Sequence, residues 1–104
     1  MRIRQVPAYP LDGIKRAVEA GRYAITRNAL EGAAALYLDE EDIKAYVLTL
    51  QEGDFFKTMP SVKRPGLAQD VYKSRDLGFA IYAKLQMSRD EWAVVVSFKR
   101  DESP

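Results

Sequence analysis

The sequence predicts an α+β fold in which N-terminal helices pack on one face of an antiparallel β-sheet. Apolar residues recur at helical spacing through the first half of the chain, whereas the second half alternates between apolar and polar positions. The 104 residues suit one domain spanning 1–104, because the chain is too short for a second hydrophobic core. With 47% hydrophobic and 30% charged residues, the composition is that of an ordinary globular protein.

An extended segment and one helix are expected first. Residues 1–10 should be extended and loosely attached, because they contain two prolines and lie at the terminus. A helix then begins at Asp12 or a neighbouring residue and ends at about Gly21. Its core-facing residues are Leu11, Ile14, Ala17 and Val18. Residues 23–25 are long enough only for an edge strand or a connector.

Two further helices are predicted before the sheet. Thr26 is the expected N-cap of a short second helix, whose apolar stripe is Ala29, Leu30, Ala33, Ala34 and Leu36. A third helix begins near Asp39–Asp42, where acidic residues complement the helix dipole. It should bury Ile43, Tyr46, Val47 and Leu50. Gly53 is expected to break this helix, and residues 54–59 to add one more turn.

Three strands follow a basic loop at Pro60–Gly66. Their expected bounds are about Ala68–Arg75, Leu77–Met87 and Trp92–Arg100. If Ser88–Glu91 is the turn of the last hairpin, its core face pairs Leu85 with Val94, Ala83 with Val96 and Ile81 with Phe98. The core residues of the last strand would then be Trp92, Val94, Val96 and Phe98.

The outer face of this hairpin brings a tyrosine and two lysines together. Tyr82 is expected opposite Ser97, with Lys99 as its diagonal neighbour and Lys84 two residues along the same strand. Periodicity alone leaves two interpretations open. These side chains form either a functional site or a solvated Tyr–Lys surface, which is common on amphipathic sheets.

The composition narrows the chemistry that such a site can perform. The chain has no cysteine and no histidine, which excludes disulfides and thiolate metal sites and removes the usual general base. A transition-metal enzyme is disfavoured and no cofactor is expected. Without a signal-peptide pattern or an apolar run of about 18 residues, the expected location is the cytoplasm.

Positive charge is concentrated in the half of the chain that forms the sheet. Residues 1–56 contain 7 basic and 9 acidic side chains, whereas residues 57–100 contain 9 basic and 4 acidic ones. A basic sheet is typical of a surface that binds a polyanion, although a solvated surface that aids solubility has the same charge.

Four short motifs, in this order and spacing, resemble the MqsR (motility quorum-sensing regulator) toxins. They are DFFKTM at 54–59, QDVY at 69–72, IYAK at 81–84 and VSFK at 96–99. Gly21 and TRNAL at 26–30 extend the resemblance, which covers about residues 9–100. This family is a branch of the RelE-like bacterial mRNA interferases.

The resemblance implies a RelE-like fold, mRNA cleavage without a metal, and a neutralising antitoxin. It assigns the active site to Lys57, Gln69, Tyr82 and Lys99, all of which have the expected residue type. The chain departs from the family at Phe56, where a tyrosine is frequent, and in the loops Pro60–Gly66 and Ser88–Glu91. These departures leave the substrate preference open.

Metal-free RNA cleavage uses attack of the 2′-OH on the adjacent phosphorus, and each residue has a possible part in it. Lys99 would stabilise the negative charge that develops on the phosphate, with Lys57 assisting or protonating. Tyr82 would transfer a proton or orient the 2′-OH, and the roles of Tyr82 and Lys57 are interchangeable. Gln69 would position the sugar or the phosphate.

This site requires Gln69 to lie on the same face as Tyr82. The predicted register places Gln69 opposite Tyr82 and Val71 opposite Ala80, around a turn at 74–77, with Tyr72 pointing into the core. A bulge near Gly78 would change that register.

Four more basic residues are candidates for guiding RNA: Lys73, Arg75, Lys84 and Arg100. A solvated face is the alternative for them. The implied partners are single-stranded mRNA and a cognate antitoxin. We expect an adjacent-gene helix-turn-helix protein as the antitoxin, so that the chain meets DNA only through it and meets no membrane. Two other functions stay open: a non-catalytic RNA- or antitoxin-binding module, and a damaged toxin that still binds its antitoxin.

Overall fold

Helices cover one face of a five-stranded sheet in the computed structural model, which describes residues 5–61, 66–76 and 78–102. The helices within these residues are α1 (Leu11–Glu19), α2 (Arg27–Ala34) and α3 (Glu40–Thr49). The strands are β1 (Tyr23–Ile25), β2 (Phe55–Pro60), β3 (Ala68–Asp76), β4 (Phe79–Met87) and β5 (Ala93–Arg100), and a short 3-10 helix spans Glu52–Asp54. The sheet order is β1-β5-β4-β3-β2. The predicted α+β class is confirmed, although the edge strand β1 runs parallel to β5.

Helix α1 forms as its apolar spacing predicts. It begins directly after Pro10, whose carbonyl accepts hydrogen bonds from the N–H groups of Gly13 and Ile14. All four predicted core residues are buried: Leu11, Ile14, Ala17 and Val18. The chain turns away at Gly21, where the Arg22 N–H returns to the Ala17 carbonyl at 2.8 Å.

Helix α2 lies along β5, and its contacts with that strand begin at its N-cap. The hydroxyl of Thr26 accepts a hydrogen bond from the Ala29 N–H and donates one to the Val96 carbonyl, which confirms the predicted cap. Ala29, Ala33 and Leu36 are buried. The prediction is wrong for Leu30 and Ala34, which are exposed, because only a narrow side of α2 faces the protein.

Helix α3 is capped by its own acidic residues. Asp39 and Asp42 form a reciprocal capping box, in which each carboxylate accepts the other residue's backbone N–H. The predicted core residues of this helix are buried: Ile43, Tyr46, Val47 and Leu50. The helix ends at Thr49, ahead of Gly53, which lies in the 3-10 helix.

Residues 55–60 form strand β2, so the predicted extra helical turn at 54–59 is wrong. Phe55 pairs with Tyr72 of β3, and the two rings meet edge to face with centroids 5.8 Å apart. Pairing with β3 and aromatic packing therefore decide the local conformation. Pro60 closes this strand rather than opening the expected loop, of which residues 62–65 lie outside the described ranges.

The start of the described chain is held by hydrogen bonds. The prediction of a loosely attached N-terminal segment is therefore wrong for these residues. The N–H groups of Ala8 and Tyr9 donate to the two carboxylate oxygens of Asp70, at 2.9 and 3.0 Å. The side-chain amide of Gln5 exchanges hydrogen bonds with the backbone of Thr58 on the edge strand β2. Asp70 is fully buried, and a buried carboxylate requires such donors.

The β4–β5 hairpin has a different register from the predicted one. Met87 pairs with Ala93, and Val96 is an extra residue between the pairs Leu85–Val95 and Lys84–Ser97. This β-bulge breaks the alternation on which the prediction relied. The core residues of β5 are therefore Ala93, Val95 and Phe98. Trp92, Val94 and Val96 are not among them, and Trp92 is 41% exposed.

The β3–β4 hairpin is shifted by four residues from the predicted register. Asp76 pairs with Phe79, and Gly78 has a φ of +84°, which suits a short turn between them. Lys73, rather than Gln69, consequently lies opposite Tyr82, and Arg75 rather than Val71 lies opposite Ala80. The prediction of which face of β3 points into the core is nevertheless correct, since Tyr72 is fully buried there.

No helix within the described part of the chain is long and apolar enough to cross a membrane.

Two helical glycines allow a matched test of how closely α2 approaches β5. A Cβ atom added to Gly32 would lie 1.9 Å from the Phe98 carbonyl oxygen, whereas one added to Gly13 meets only Pro10 at 4.0 Å. We expect Gly32→Ala to lower the free energy of unfolding by about 3 kcal/mol through this backbone clash. Gly13→Ala should raise it by about 0.5–1 kcal/mol through helix propensity.

Urea denaturation followed by circular dichroism measures both changes. Equal effects of the two substitutions would contradict the close contact between α2 and β5.

Candidate active site

Three neighbouring strands place a tyrosine between two lysines on the outer face of the sheet, away from the buried core. Tyr82 on β4 pairs directly with Lys73 of β3 on one side and with Lys99 of β5 on the other. Directly opposed residues on one face lie closer than diagonal ones. The convergence of Tyr82 with Lys99 is therefore confirmed, and it is tighter than the diagonal arrangement expected from the sequence.

Strand β2 adds an aromatic ring and a third lysine through a bulge. Phe56 is the extra residue between the pairs Phe55–Tyr72 and Lys57–Val71. Phe55 turns into the core, whereas Phe56 and Lys57 both lie on the outer face. Phe56 is 52% exposed, although its ring contacts the ammonium of Lys73.

Lysines and rings alternate across four strands. We call this the lysine–aromatic row, made of Lys57, Phe56, Lys73, Tyr82 and Lys99 in spatial order. Along the row, the distances between each lysine Nζ and the neighbouring ring centroid are 5.6, 4.0, 6.0 and 5.1 Å. Ring faces attract cations, so the rings help to hold three positive charges on one small surface. Such a surface suits a phosphate group.

A cavity of about 460 Å³ opens at the Lys99 end of the row. Its walls are Gly32 of α2 with Ala35 and Leu36 directly after that helix, the row residues Lys73, Tyr82 and Lys99, and residues 100–102. The volume lies within the range of small-molecule sites. Apolar atoms from α2 thus face charged atoms from the sheet across the cavity.

Asp101 brings a carboxylate into this cavity. Its backbone N–H donates to the Ala80 carbonyl at 2.7 Å, and its Oδ1 lies 3.6 Å from the Nζ of Lys73. Burial raises the pKa of Tyr82 above its ordinary value of 10.0, and the charge of Asp101 raises it further. The phenol of Tyr82 is therefore protonated at neutral pH and is able to donate a hydrogen bond or a proton.

Gln69 lies on the same face as Tyr82 but outside the row. Its Nε2 donates to the Oε1 of Gln86 at 3.3 Å, and the residue is 9% exposed. It lies four positions before Lys73 on β3, a span of about 13 Å along a strand. The four-residue site predicted from the sequence is therefore not assembled around Tyr82, although its residues share one face of the sheet.

Three of the other basic residues are divided between the two faces. Two of them lie on the outer face with Tyr82. Arg75 pairs with Ala80, and Lys84 pairs with Val71 on one side and Ser97 on the other. Arg100 pairs with Ile81, so strand alternation assigns it to the helix-covered face, although it also borders the cavity. Lys73, the fourth of this predicted set, is instead at the centre of the row.

Sequence reasoning missed Asp101 and the contact of Phe56 with Lys73. Alternation places Lys73 on the outer face with Tyr82, and a turn two residues further along the chain would have placed it directly opposite Tyr82. Within the described residues, no group of three or more carboxylates is placed to hold a metal ion.

Two comparisons with known proteins bear on this site. The sequence model of the family "Motility quorum-sensing regulator, toxin of MqsA" matches residues 6–100. The chain is also 33% identical over 96 residues to "mRNA interferase toxin MqsR" of Escherichia coli strain K12, which covers 92% of this chain and 96% of that relative. The family match includes every residue of the row, and Asp101 lies one position beyond it.

The protonation of Tyr82 is open to a direct test. Because burial and Asp101 both raise its pKa, we expect its phenol to ionise above pH 10.0, and Asp101→Asn to lower this pKa without removing the effect of burial. Burial also raises the pKa values of Tyr46 and Tyr72 to about 12, so the signal must be isolated by difference.

Ultraviolet titration of tyrosinate absorbance provides the measurement. The wild-type curve minus that of Tyr82→Phe gives the Tyr82 titration, and the same subtraction in the Asp101→Asn background gives the shift. Ionisation of Tyr82 below pH 10.0 would contradict its described surroundings.

Proposed function

Because the chain belongs to the motility quorum-sensing regulator (MqsR) toxin family, we propose that it is an mRNA interferase, the toxin of a toxin–antitoxin pair. It cleaves mRNA as an endoribonuclease and thereby inhibits translation. The observation that carries this proposal is the lysine–aromatic row beside the cavity, where two lysines flank Tyr82.

The row is suited to stabilising the transition state of RNA cleavage. Attack of the 2′-OH on phosphorus creates additional negative charge on the phosphate oxygens, and preorganised cations stabilise it. Lys99 and Lys73 approach the Tyr82 ring from two strands, so a phosphate above that ring would contact both ammonium groups. Lysine charges supply this stabilisation without a metal or another cofactor.

Tyr82 protonates the departing 5′-oxygen in this mechanism. Its raised pKa keeps the phenol protonated at neutral pH, which favours proton donation over proton abstraction. Lys57 is separated from Tyr82 by Phe56 and Lys73, a position that suits a flanking phosphate better than the reacting one. Of the two interchangeable roles, proton donation is therefore assigned to Tyr82.

Single-stranded mRNA is the proposed substrate. The half-exposed ring of Phe56 offers a base a face for stacking, and stacking of this kind contributes about 1–3 kcal/mol per base. Gln69 and Gln86 present amide groups farther along the same face, where they can contact sugar or base atoms. Arg75 and Lys84 would guide the backbone beside the row, and Arg100 would contact it at the cavity.

A cognate antitoxin is the second proposed partner. The matched family is described as the toxin of MqsA, which supports an antitoxin for this chain too. We place the antitoxin gene next to this one and expect a helix-turn-helix protein, so that contact with DNA is indirect. The toxin would act in the cytoplasm, where mRNA is translated.

Removing the central side chains tests the catalytic proposal. In EDTA, wild-type protein should cleave mRNA, whereas Lys99→Ala and Tyr82→Phe should each slow cleavage about 10²–10⁴-fold. Both variants should keep the wild-type circular dichroism spectrum and most of their RNA affinity. Lys15→Ala, which removes a lysine from α1 on the opposite side of the sheet, is the control.

Intact RNA after incubation with wild-type protein, both free and with ribosomes, would contradict the nuclease assignment. RNA binding without cleavage would instead favour the non-catalytic module.

Lys84 offers a test of backbone guidance. Its ammonium would contact a phosphate without taking part in the chemistry, so Lys84→Ala should weaken RNA binding equally across sequences. The slope of log affinity against log salt should fall by about 0.7, the value for one contact with a single strand. Fluorescence anisotropy with a 2′-deoxy oligonucleotide, which lacks the attacking hydroxyl, measures this slope. An unchanged slope would assign Lys84 to the solvated surface.

A further inference from the structure

The proposed cleavage needs a proton acceptor, and the row does not offer a good one. The 2′-OH must lose its proton as it attacks, so a deprotonated group is required near the phosphate. Lys73 is ion-paired with Asp101, and the ammonium groups of Lys73 and Lys99 both lie against ring faces, where they are placed to bind the phosphate. Burial raises the pKa of Tyr82, which keeps its phenol protonated.

Asp101 lies where such an acceptor is needed. It follows β5 directly, and its backbone is fixed by the hydrogen bond to Ala80 on β4. Its carboxylate is 3.6 Å from the Lys73 ammonium, and its side chain is 17% exposed, at the wall of the cavity beside Tyr82. The contact with Lys73 holds the carboxylate at the wall of the cavity.

We propose that Asp101 is the general base of RNA cleavage, an assignment that rests on the proposed function. The Asp101 carboxylate takes the 2′-OH proton as the O2′–P bond forms. The P–O5′ bond breaks, and the departing oxygen takes the phenolic proton of Tyr82. The products are a 2′,3′-cyclic phosphate and a 5′-hydroxyl end. Water then returns a proton to Tyr82 and removes one from Asp101, which restores the starting state.

The other titratable or charged groups around Asp101 come from three strands, from α3 and from the residue that follows Asp101. They are Lys73 on β3, Tyr82 on β4, Lys99 and Arg100 on β5, Glu102, which is exposed, and Tyr46 on α3, whose pKa is raised by burial and further by the charge of Asp101. Of these, Glu102 is the other carboxylate at the cavity. Any test of Asp101 must therefore separate it from Glu102.

Replacement of Asp101 by asparagine keeps the shape of the side chain and removes the proton acceptor. With enzyme in excess of a cleavable oligonucleotide, Asp101→Asn should slow cleavage about 10²–10⁴-fold. Affinity for the 2′-deoxy analogue should be unchanged or higher, because a negative charge has been removed. Asp101→Glu should retain part of the activity. Asp12→Asn on α1 is the matched control and should cleave at the wild-type rate.

The pH dependence distinguishes a base from a residue that only positions Lys73. Wild-type cleavage should rise with pH on the acid side as the base ionises, and Asp101→Asn should lose this rise. Lys73→Met, which removes the ion-pair partner of Asp101, should lower the cleavage rate but keep its increase with pH. The opposite result would assign the base to Glu102 and overturn the proposal. In that result, cleavage by Glu102→Gln no longer increases with pH, whereas Asp101→Asn keeps the wild-type dependence of cleavage rate on pH.

Two further results would overturn it. One is wild-type or faster cleavage by Asp101→Asn, and the other is a parallel loss of RNA affinity and cleavage, which would indicate a positioning role through Lys73. If Asp101→Asn does not fold, Asp101→Glu provides the test instead. An Asp101→Glu protein that folds and binds RNA but does not cleave it would also contradict a carboxylate base. Absence of cleavage by the wild-type protein and by Asp12→Asn would overturn the nuclease function itself.

Discussion

The position of Lys99 beside Tyr82 depends on the β-bulge at Val96. Before the bulge, Ala93 and Val95 point into the core, and uninterrupted alternation would send Ser97 and Lys99 to the same side. The extra residue restores Phe98 to the core and turns Lys99 to the outer face. Thr26 holds this irregularity, because its N–H donates to the Val95 carbonyl at 3.1 Å and its hydroxyl donates to the Val96 carbonyl at 2.7 Å. The N-cap of α2 thus connects helix formation to the geometry of the site.

A second bulge has the same effect at the other end of the row. Phe55 packs in the core against Tyr72, and the extra residue Phe56 allows its ring and Lys57 to lie together on the outer face. Between the two bulges, Lys73 and Tyr82 meet through regular pairing. Bulges are frequent next to active sites because they redirect side chains without disrupting the sheet. Phe56 lacks the tyrosine hydroxyl that the resemblance leads us to expect, but the cation contact uses only the ring face, which phenylalanine shares with tyrosine. The contact with Lys73 therefore does not depend on that hydroxyl.

The sequence was sufficient for the fold class, the family and most helix details. Thr26 and the acidic residues at 39–42 identified caps, and alternation identified both faces of β3 and β4, because these features depend on neighbours in the chain. The register of the strands could not be predicted from the sequence. Alternation with a period of two does not reveal an inserted residue such as Val96. The turn between β3 and β4 lies two residues further along the chain than predicted, which changes the residue opposite Tyr82 by four positions, from Gln69 to Lys73. Asp101 was missed for a related reason, since only the folded sheet brings it to Lys73. The strand at 55–60 was mistaken for a helical turn because its conformation depends on pairing with distant β3.

A site without histidine must divide proton donation and proton acceptance between groups whose surroundings favour opposite states. Burial favours the protonated phenol of Tyr82, and the nearby charge of Asp101 favours it further. The same carboxylate pairs with Lys73, whose ammonium in turn contacts the rings of Phe56 and Tyr82. Lys73, at the centre of the row, thus contacts both the proposed proton donor, Tyr82, and the proposed proton acceptor, Asp101, and itself supplies positive charge for the phosphate.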